Sequence, residues 1–286
     1  MILRAEDRVA VWGITGRQAS FWTEHMVAYG TRVVGGINPA RGGTTHLGLP
    51  VWGHAAEAEH IDVALLFVPP TAVREATLDA LSAKPRMVII LAEHVPLHDM
   101  MIVHATARRA GVRIVGANTA GLVTPGEAFA GIMPAFNDRI FRPGGIGVVS
   151  RSGSLGALVC LNLVRAGFGQ SAVIGVGGDT LPGTTSRDAL DALEADPRTE
   201  AVVLLGEIGG GMEQEAAAFI SGMSKPVVAF IAGAASPPGK RMGHAGAIIG
   251  GAGEGYAAKR QALEDVGVIV VPTPGDVPGA LRVRGI

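Results

Sequence analysis

Three short stretches hold residue types whose spacing suits covalent chemistry. His244 sits in Gly243-His244-Ala245-Gly246, preceded by Lys240-Arg241-Met242. Its neighbours are small enough to let a large substrate reach either ring nitrogen. A neutral imidazole is a competent nucleophile near pH 7, and a neighbouring carboxylate fixes its tautomer. Gly206-Glu207-Ile208-Gly209-Gly210 closes an apolar run and offers such a carboxylate. Ser150-Arg151-Ser152-Gly153-Ser154 follows another apolar run and opens a helical stretch. Small hydroxyls and a glycine at that junction supply helix caps, donors and close backbone approach, which suit an oxyanion or phosphoryl group. Helix capping alone accounts for one of the serines.

A fourth stretch, Gly13-Ile14-Thr15-Gly16-Arg17-Gln18, is a glycine turn from strand to helix. It exposes backbone N–H groups at the positive end of a helix dipole, where phosphate can be held. Many such turns serve packing alone, and this one lacks the full dinucleotide fingerprint. Arg41, in the loop after the second strand, is either a second phosphate clamp or an exposed loop arginine. The other histidines, at 25, 46, 54, 60, 94, 98 and 104, show no ligand spacing and read mostly as surface or satisfied polar residues. No metal site is expected.

The elements that must position these residues alternate regularly. Apolar runs at 8–12, 32–36, 63–68, 87–91 and 113–115 are separated by helical stretches at about 20–29, 71–83 and 98–110, which predicts a parallel, doubly wound α/β sheet. Between Thr124 and Gly145 the breakers Pro125, Gly126, Pro134, Pro143, Gly144 and Gly145 interrupt the pattern. The expected division is therefore 1–124, a connection at 125–145, and a second α/β unit at 146–286. In that unit strands are predicted at 147–150, 172–176, 201–205, 227–231 and 268–271, with helices at about 154–166, 185–195, 212–223 and 255–266. Sites in such sheets collect at the carboxyl ends of the strands, so Glu207 and His244 should converge.

Composition narrows the function. The 286 residues are 48% hydrophobic and 17% charged with 42 glycines, the mix of an α/β protein rather than a disordered one. A formal net charge of -1 gives no global attraction to nucleic acid. The single cysteine, Cys160, excludes a disulfide framework. No apolar run approaches the ~18 residues that cross a bilayer, and the N-terminus does not read as a secretory signal, so a soluble cytoplasmic protein is expected.

Taken together, GITGRQ, YGTRVVGGINPARGGTTHLGLPV, LVTPGE, GVVSRSGSL, VGGD, GEIGG and PPGKRMGHAGAII resemble, in order and nearly end to end, the α subunit of succinyl-CoA synthetase. The resemblance implies an N-terminal Rossmann-like CoA-binding domain and a C-terminal flavodoxin-like ligase domain. It marks His244 as the residue that is phosphorylated, Glu207 as the one that orients it, and Ser152, Gly153 and Ser154 as the turn that stabilises the phosphohistidine. It assigns CoA to Thr15, Gly16, Arg17 and Gln18, to Arg41 where lysine is usual, to Leu91, Ala92 and Glu93, and to Asn118. It also implies a cycle from nucleotide to phosphohistidine to acyl phosphate to acyl-CoA. ATP or GTP with Mg²⁺ would be bound mainly by a separate ATP-grasp β subunit, in an αβ or α2β2 assembly.

The chain departs from the family at Ala117-Asn118-Thr119-Ala120-Gly121, at Gly156-Ala157-Leu158 in place of Thr-Tyr-Glu, and at His94 in place of glycine. A reshaped acid pocket is expected, for succinate or a related acid such as malate or sulfoacetate. Two other readings stand beside this one. An NAD-dependent oxidoreductase is opposed by the absence of an acidic residue in Gly35-Gly36-Ile37-Asn38. A catalytically silent CoA-binding scaffold is opposed by the intact GHAGA and GEIGG segments.

Overall fold

The computed structural model describes residues 1–237 and 243–286, so Lys240, Arg241 and Met242 lie outside the described residues. Within the first unit, β1 (Val9–Trp12) is followed by α1 (Arg17–Tyr29) and β2 (Val33–Ile37). A hairpin of β3 (Thr44–His46) and β4 (Leu49–Trp52) comes next. Then β5 (Val63–Leu66), α2 (Val73–Ser82), β6 (Met87–Ile90), α3 (Leu97–Ala110) and β7 (Arg113–Gly116) complete the unit. The sheet order is β3-β4-β2-β1-β5-β6-β7, parallel except for the antiparallel β3. From β4 to β7 this is Rossmann order, with the reversal at β1.

The second unit contains β8 (Gly121–Thr124), β9 (Ala128–Gly131), β10 (Pro143–Ser150), α4 (Gly153–Arg165), β11 (Gln170–Gly175) and α5 (Ser186–Glu194). It continues with β12 (Ala201–Glu207), α6 (Met212–Ile220), β13 (Val227–Ala232), α7 (Tyr256–Glu264), β14 (Ile269–Val271) and α8 (Val277–Val283). Its order, β14-β13-β12-β10-β11-β8-β9, is flavodoxin-like from β14 to β11, with the reversal at β10.

Alternation along β1 shows how the layers form. Val9 and Val11 pack into a core shared with α1, β8, β9 and the second unit, whereas Ala10 and Trp12 face a separate cluster under α2 and α3. Strands buried on both faces read as continuous apolar runs, which is why they are visible in sequence. Five elements, β3, β4, β8, β9 and α8, are not. The β3–β4 hairpin turns at Leu47 and Gly48, both at positive φ, inside a stretch of mixed polarity. The stretch expected as a connection at 125–145 contains β9, which pairs with β8, and β8 in turn pairs antiparallel with β11 of the second sheet. The closing α8 has Pro278 and Gly279 in its first turn, a composition that hides it.

The two units are tied through buried backbone groups. Thr31 Oγ1 donates to the Phe129 carbonyl at 2.9 Å and accepts the Phe129 N–H at 3.0 Å. Thr184 Oγ1 donates to the Ile114 carbonyl at 2.6 Å. Thr31 is 4% exposed, so Thr31→Val should leave both groups of Phe129 unpaired and lower unfolding stability by about 1–3 kcal/mol in a denaturant titration.

Candidate active site

Reversals of strand order open crevices at the carboxyl ends of the strands. In the second sheet the reversal lies between β10 and its neighbours, and β10 leads through Arg151 into α4 while the adjacent β12 ends at Glu207. Ser152 caps α4, its Oγ accepting the Leu155 N–H at 3.4 Å. Ser150 Oγ donates to the Ser152 carbonyl at 2.6 Å, which holds the turn closed. Gly153 is required by close approach, because a Cβ there would sit 2.7 Å from the Ala120 side chain of the β7–β8 connection.

Glu207 and His244 meet. Nδ1 of His244 lies 2.8 Å from Oε2 of Glu207, and the other carboxylate oxygen faces Arg151 Nη2 at 3.2 Å. The carboxylate is nearly buried, with 9% of its side chain exposed, against 4% for Arg151 and 27% for His244. Gly178 makes room for the ring, since a Cβ there would lie 2.6 Å from His244 Cγ. A carboxylate at Nδ1 accepts that N–H and leaves Nε2 as the bare, nucleophilic nitrogen. The hydrogen bond to Glu207 raises the His244 pKa above the ordinary histidine value, against the opposing effects of burial and of Arg151. Beside the histidine loop lies a cavity of about 530 Å³, lined by Arg151, Asp179, the Gly209–Gly211 turn, Ala245 and Gly246 among others. Ser152, Gly153 and Ser154 stand at the neighbouring strand end and make no hydrogen bond to Glu207 or His244 among the described residues.

The other predicted residues line the carboxyl edge of the first sheet. Gly13 follows β1 at φ +75, and its N–H donates to the Ile37 carbonyl at 2.9 Å. Gly16 caps α1 without a side-chain bond, leaving the first-turn N–H groups open beside exposed Arg17 and Gln18. Thr15 Oγ1 accepts from Asn38 Nδ2 at 2.6 Å. Arg41 ends a short 3₁₀ turn that Asn38 caps, and it is exposed. An apolar cavity of about 530 Å³ opens here between Trp12, Pro39, Val68 and Ala72, with Asp79 accepting the Trp12 indole N–H at 2.9 Å.

Leu91, Ala92 and Glu93 follow β6, and the Asn118 N–H donates to the Ala92 carbonyl at 2.8 Å. Asn118 then joins the two edges: its carbonyl accepts the Gly178 N–H at 3.1 Å, and Gly178 accepts the Gly246 N–H at 3.1 Å. Glu93 is close enough to add to the rise in the His244 pKa.

Comparison with known proteins gives this arrangement a family. A model described as "CoA binding domain" matches residues 4–94, and one described as "CoA-ligase" matches residues 149–269. The α subunit of succinate–CoA ligase (ADP-forming) from Methanothermobacter thermautotrophicus is 46% identical, over 99% of this chain and 97% of its own length. The chain belongs to the family of ADP-forming succinate–CoA ligase α subunits. Among other relatives, a subunit of the ADP-forming sulfoacetate–CoA ligase of Bilophila wadsworthia is 40% identical over 99% of this chain and 98% of its own. The malate–CoA ligase α subunit of Methylorubrum extorquens is 42% identical over 96% and 95%. Among solved structures, ATP citrate lyase from Methanothrix soehngenii, in complex with citrate and coenzyme A, superposes with a TM-score of 0.87 at 26% identity; this ligase subunit is covered to 99% and spans half of that longer chain.

Sequence reasoning placed Arg151 in the candidate Ser150–Ser154 stretch without giving it a role, and missed Asp179, Glu213 and Lys259 of this ligase subunit as parts of the site. Asp179 is 6% exposed, and burial raises its pKa above the usual carboxylate range. One signal was available for Glu213: it falls in the buried stripe of α6 with Ala216, Ala217 and Ile220.

The raised pKa of His244 carries a sign. Protonated imidazole is stabilised by Glu207, so the pair strengthens the fold below the ordinary histidine pKa, and that gain is lost as pH rises through the raised value. In Glu207→Gln the His244 pKa should fall, because burial and Arg151 then act unopposed by that carboxylate. An NMR titration of the ring protons checks it.

Proposed function

We propose that this chain is the α subunit of an ADP-forming acid–CoA ligase in which His244 carries the phosphoryl group. The observation that carries the reading is the Nδ1 contact with Glu207 at the carboxyl edge of the sheet, with Nε2 making no hydrogen bond among the described residues. Nε2 attacks the terminal phosphorus of the nucleotide, and the nucleoside diphosphate leaves. A carboxylate oxygen of the acid then takes the phosphoryl group from Nε2, giving an acyl phosphate. The CoA sulfur attacks the acyl carbon, the C–O bond to phosphate breaks, and inorganic phosphate leaves with the electron pair.

Each step has a physical role for this chain. Glu207 balances the positive ring that forms when Nε2 is phosphorylated while Nδ1 keeps its proton. The N-terminus of α4, with Ser152, Gly153 and Ser154, supplies donors for the phosphoryl oxygens. CoA lies along the first sheet, its phosphates on Gly13, Thr15, Gly16, Arg17, Gln18 and Arg41. Its flat base occupies the cavity beside Trp12 and Pro39, and its thiol arm passes Leu91, Ala92, Glu93 and Asn118 toward His244. The hydrogen bonds that join Ala92, Asn118, Gly178 and Gly246 support that path. The nucleotide and Mg²⁺ come from an ATP-grasp β subunit. The acid is succinate or a relative such as malate or sulfoacetate, with Ala157 and Leu158 of α4 reshaping its pocket.

Incubation of the chain and its β subunit with γ-labelled ATP or GTP and Mg²⁺ should give acid-labile, base-stable label on the α chain, absent from His244→Ala. The acid that discharges the label with CoA names the substrate. Absence of label on the wild type would favour a silent CoA-binding scaffold instead. The labelling rate should rise with pH through a value above the ordinary histidine pKa, since only neutral imidazole attacks. Arg41→Ala should raise KM for CoA by roughly tenfold with kcat nearly unchanged, the pattern of lost ground-state binding.

A further inference from the structure

Beneath the His244 site two charged side chains are completely enclosed. Glu213 in the first turn of α6 and Lys259 in α7 are both 0% exposed and pair with each other. Each interrupts an apolar stripe, Glu213 beside Ala216 and Ala217, Lys259 beside Leu263. Well-packed apolar side chains in the same places would stabilise the fold as well or better, because desolvation offsets the attraction of a buried ion pair. Stability alone therefore leaves the pair unexplained.

Their contacts account for it. Glu213 Oε1 accepts the backbone N–H of Glu207 at 3.1 Å, at the last position of β12. Lys259 Nζ donates to the Gly209 carbonyl at 2.7 Å, and Arg151 Nη1 donates to the same oxygen at 3.2 Å. Gly209, at φ +90, presses on the histidine loop so closely that a Cβ would lie 2.1 Å from the Gly246 oxygen. The pair thus holds from below both the carboxylate partner of His244 and the turn on which its loop rests. With Arg151 and Glu207 it makes two cations and two carboxylates, so the buried group adds no net charge beside a neutral imidazole.

We propose that Glu213 and Lys259 are positioning residues for His244: they fix Glu207 and the Gly209 turn so that Oε2 of Glu207 takes the Nδ1–H and Nε2 remains the reacting nitrogen. This deepens the phosphohistidine reading and rests on it for its consequence in turnover. Neither side chain reaches the imidazole through a hydrogen bond of its own, so the effect passes through backbone groups whose partners would otherwise be missing.

The test uses the α chain in complex with its β subunit, with ¹⁵N-labelled histidine to read the tautomer of His244 and γ-labelled ATP to read phosphorylation. Two variants separate position from stability. Glu213→Leu combined with Lys259→Met removes both charges at similar volume and should melt within a few degrees of wild type. Glu213→Asp keeps both charges and withdraws the carboxylate from the Glu207 N–H by one methylene. In both, the dominant Nδ1–H tautomer of the wild type should give way to a mixture. Labelling should slow by about tenfold or more, with KM for nucleotide within twofold of wild type. Wild-type tautomer and labelling rate in Glu213→Asp, or in the folded double variant, overturn the proposal. If the wild type takes no label but shows the Nδ1–H tautomer and the variants lose it, the positioning role stands and the phosphohistidine reading falls.

Discussion

One carboxylate shared between a guanidinium and an imidazole organises the second half of this molecule. Glu207 is nearly buried, and a buried carboxylate is costly unless each oxygen has a cationic or donating partner. Arg151 supplies one and His244 the other. That requirement places the first residue after β10 and the last residue of β12 side by side, which the parallel pairing of those strands provides. It also demands an empty volume for the ring, met by the missing side chain of Gly178. The residue types around the site follow from these needs: glycine at 153, 178 and 209, where backbone or ring approaches, and the paired charges of Arg151, Glu207, Glu213 and Lys259.

Two doubly wound sheets, each with a reversal of strand order, produce two crevices, and the connection between the units decides how they face each other. Asn118 lies just past β7 and touches both edges through its own backbone, bonding to Ala92 on one side and Gly178 on the other. The β8–β9 hairpin completes the junction by adding to the second sheet while packing against α1 of the first unit. The shared core beneath it is continuous, so the separation between the two edges is held by packing as well as by hydrogen bonds.

The relatives act on three different acids by name, at 40% to 46% identity to this chain. Ala157 of α4 is half-buried and Leu158 exposed, so side chains there can vary without disturbing the buried, mutually neutralised group of Arg151, Glu207, Glu213 and Lys259.

Much was legible in the amino-acid order because local physics dictates it. The apolar runs of β1, β5, β6, β10, β12 and β13 announce strands buried on both faces, and the alternation with helices dictates parallel, doubly wound sheets. The convergence of Glu207 and His244 follows from the same rule, since both leave carboxyl ends of one sheet. Tertiary structure decided what depends on distant partners. The four-residue strands β8 and β9 lie beside or among breakers; they pair with each other, and only β8 is joined to the sheet, by β11 some fifty residues away, so the local pattern does not reveal them. Likewise Lys259 looks in isolation like an ordinary helix charge, and the stripe of α6 marks Glu213 only as buried; the packing of α6 against α7, and of α7 on β13 and β14, encloses both, and they reach the Glu207 N–H and the Gly209 carbonyl. Sequence sets which faces must be buried, while the cost of leaving a buried polar group unpaired is settled only when the whole chain has closed around it.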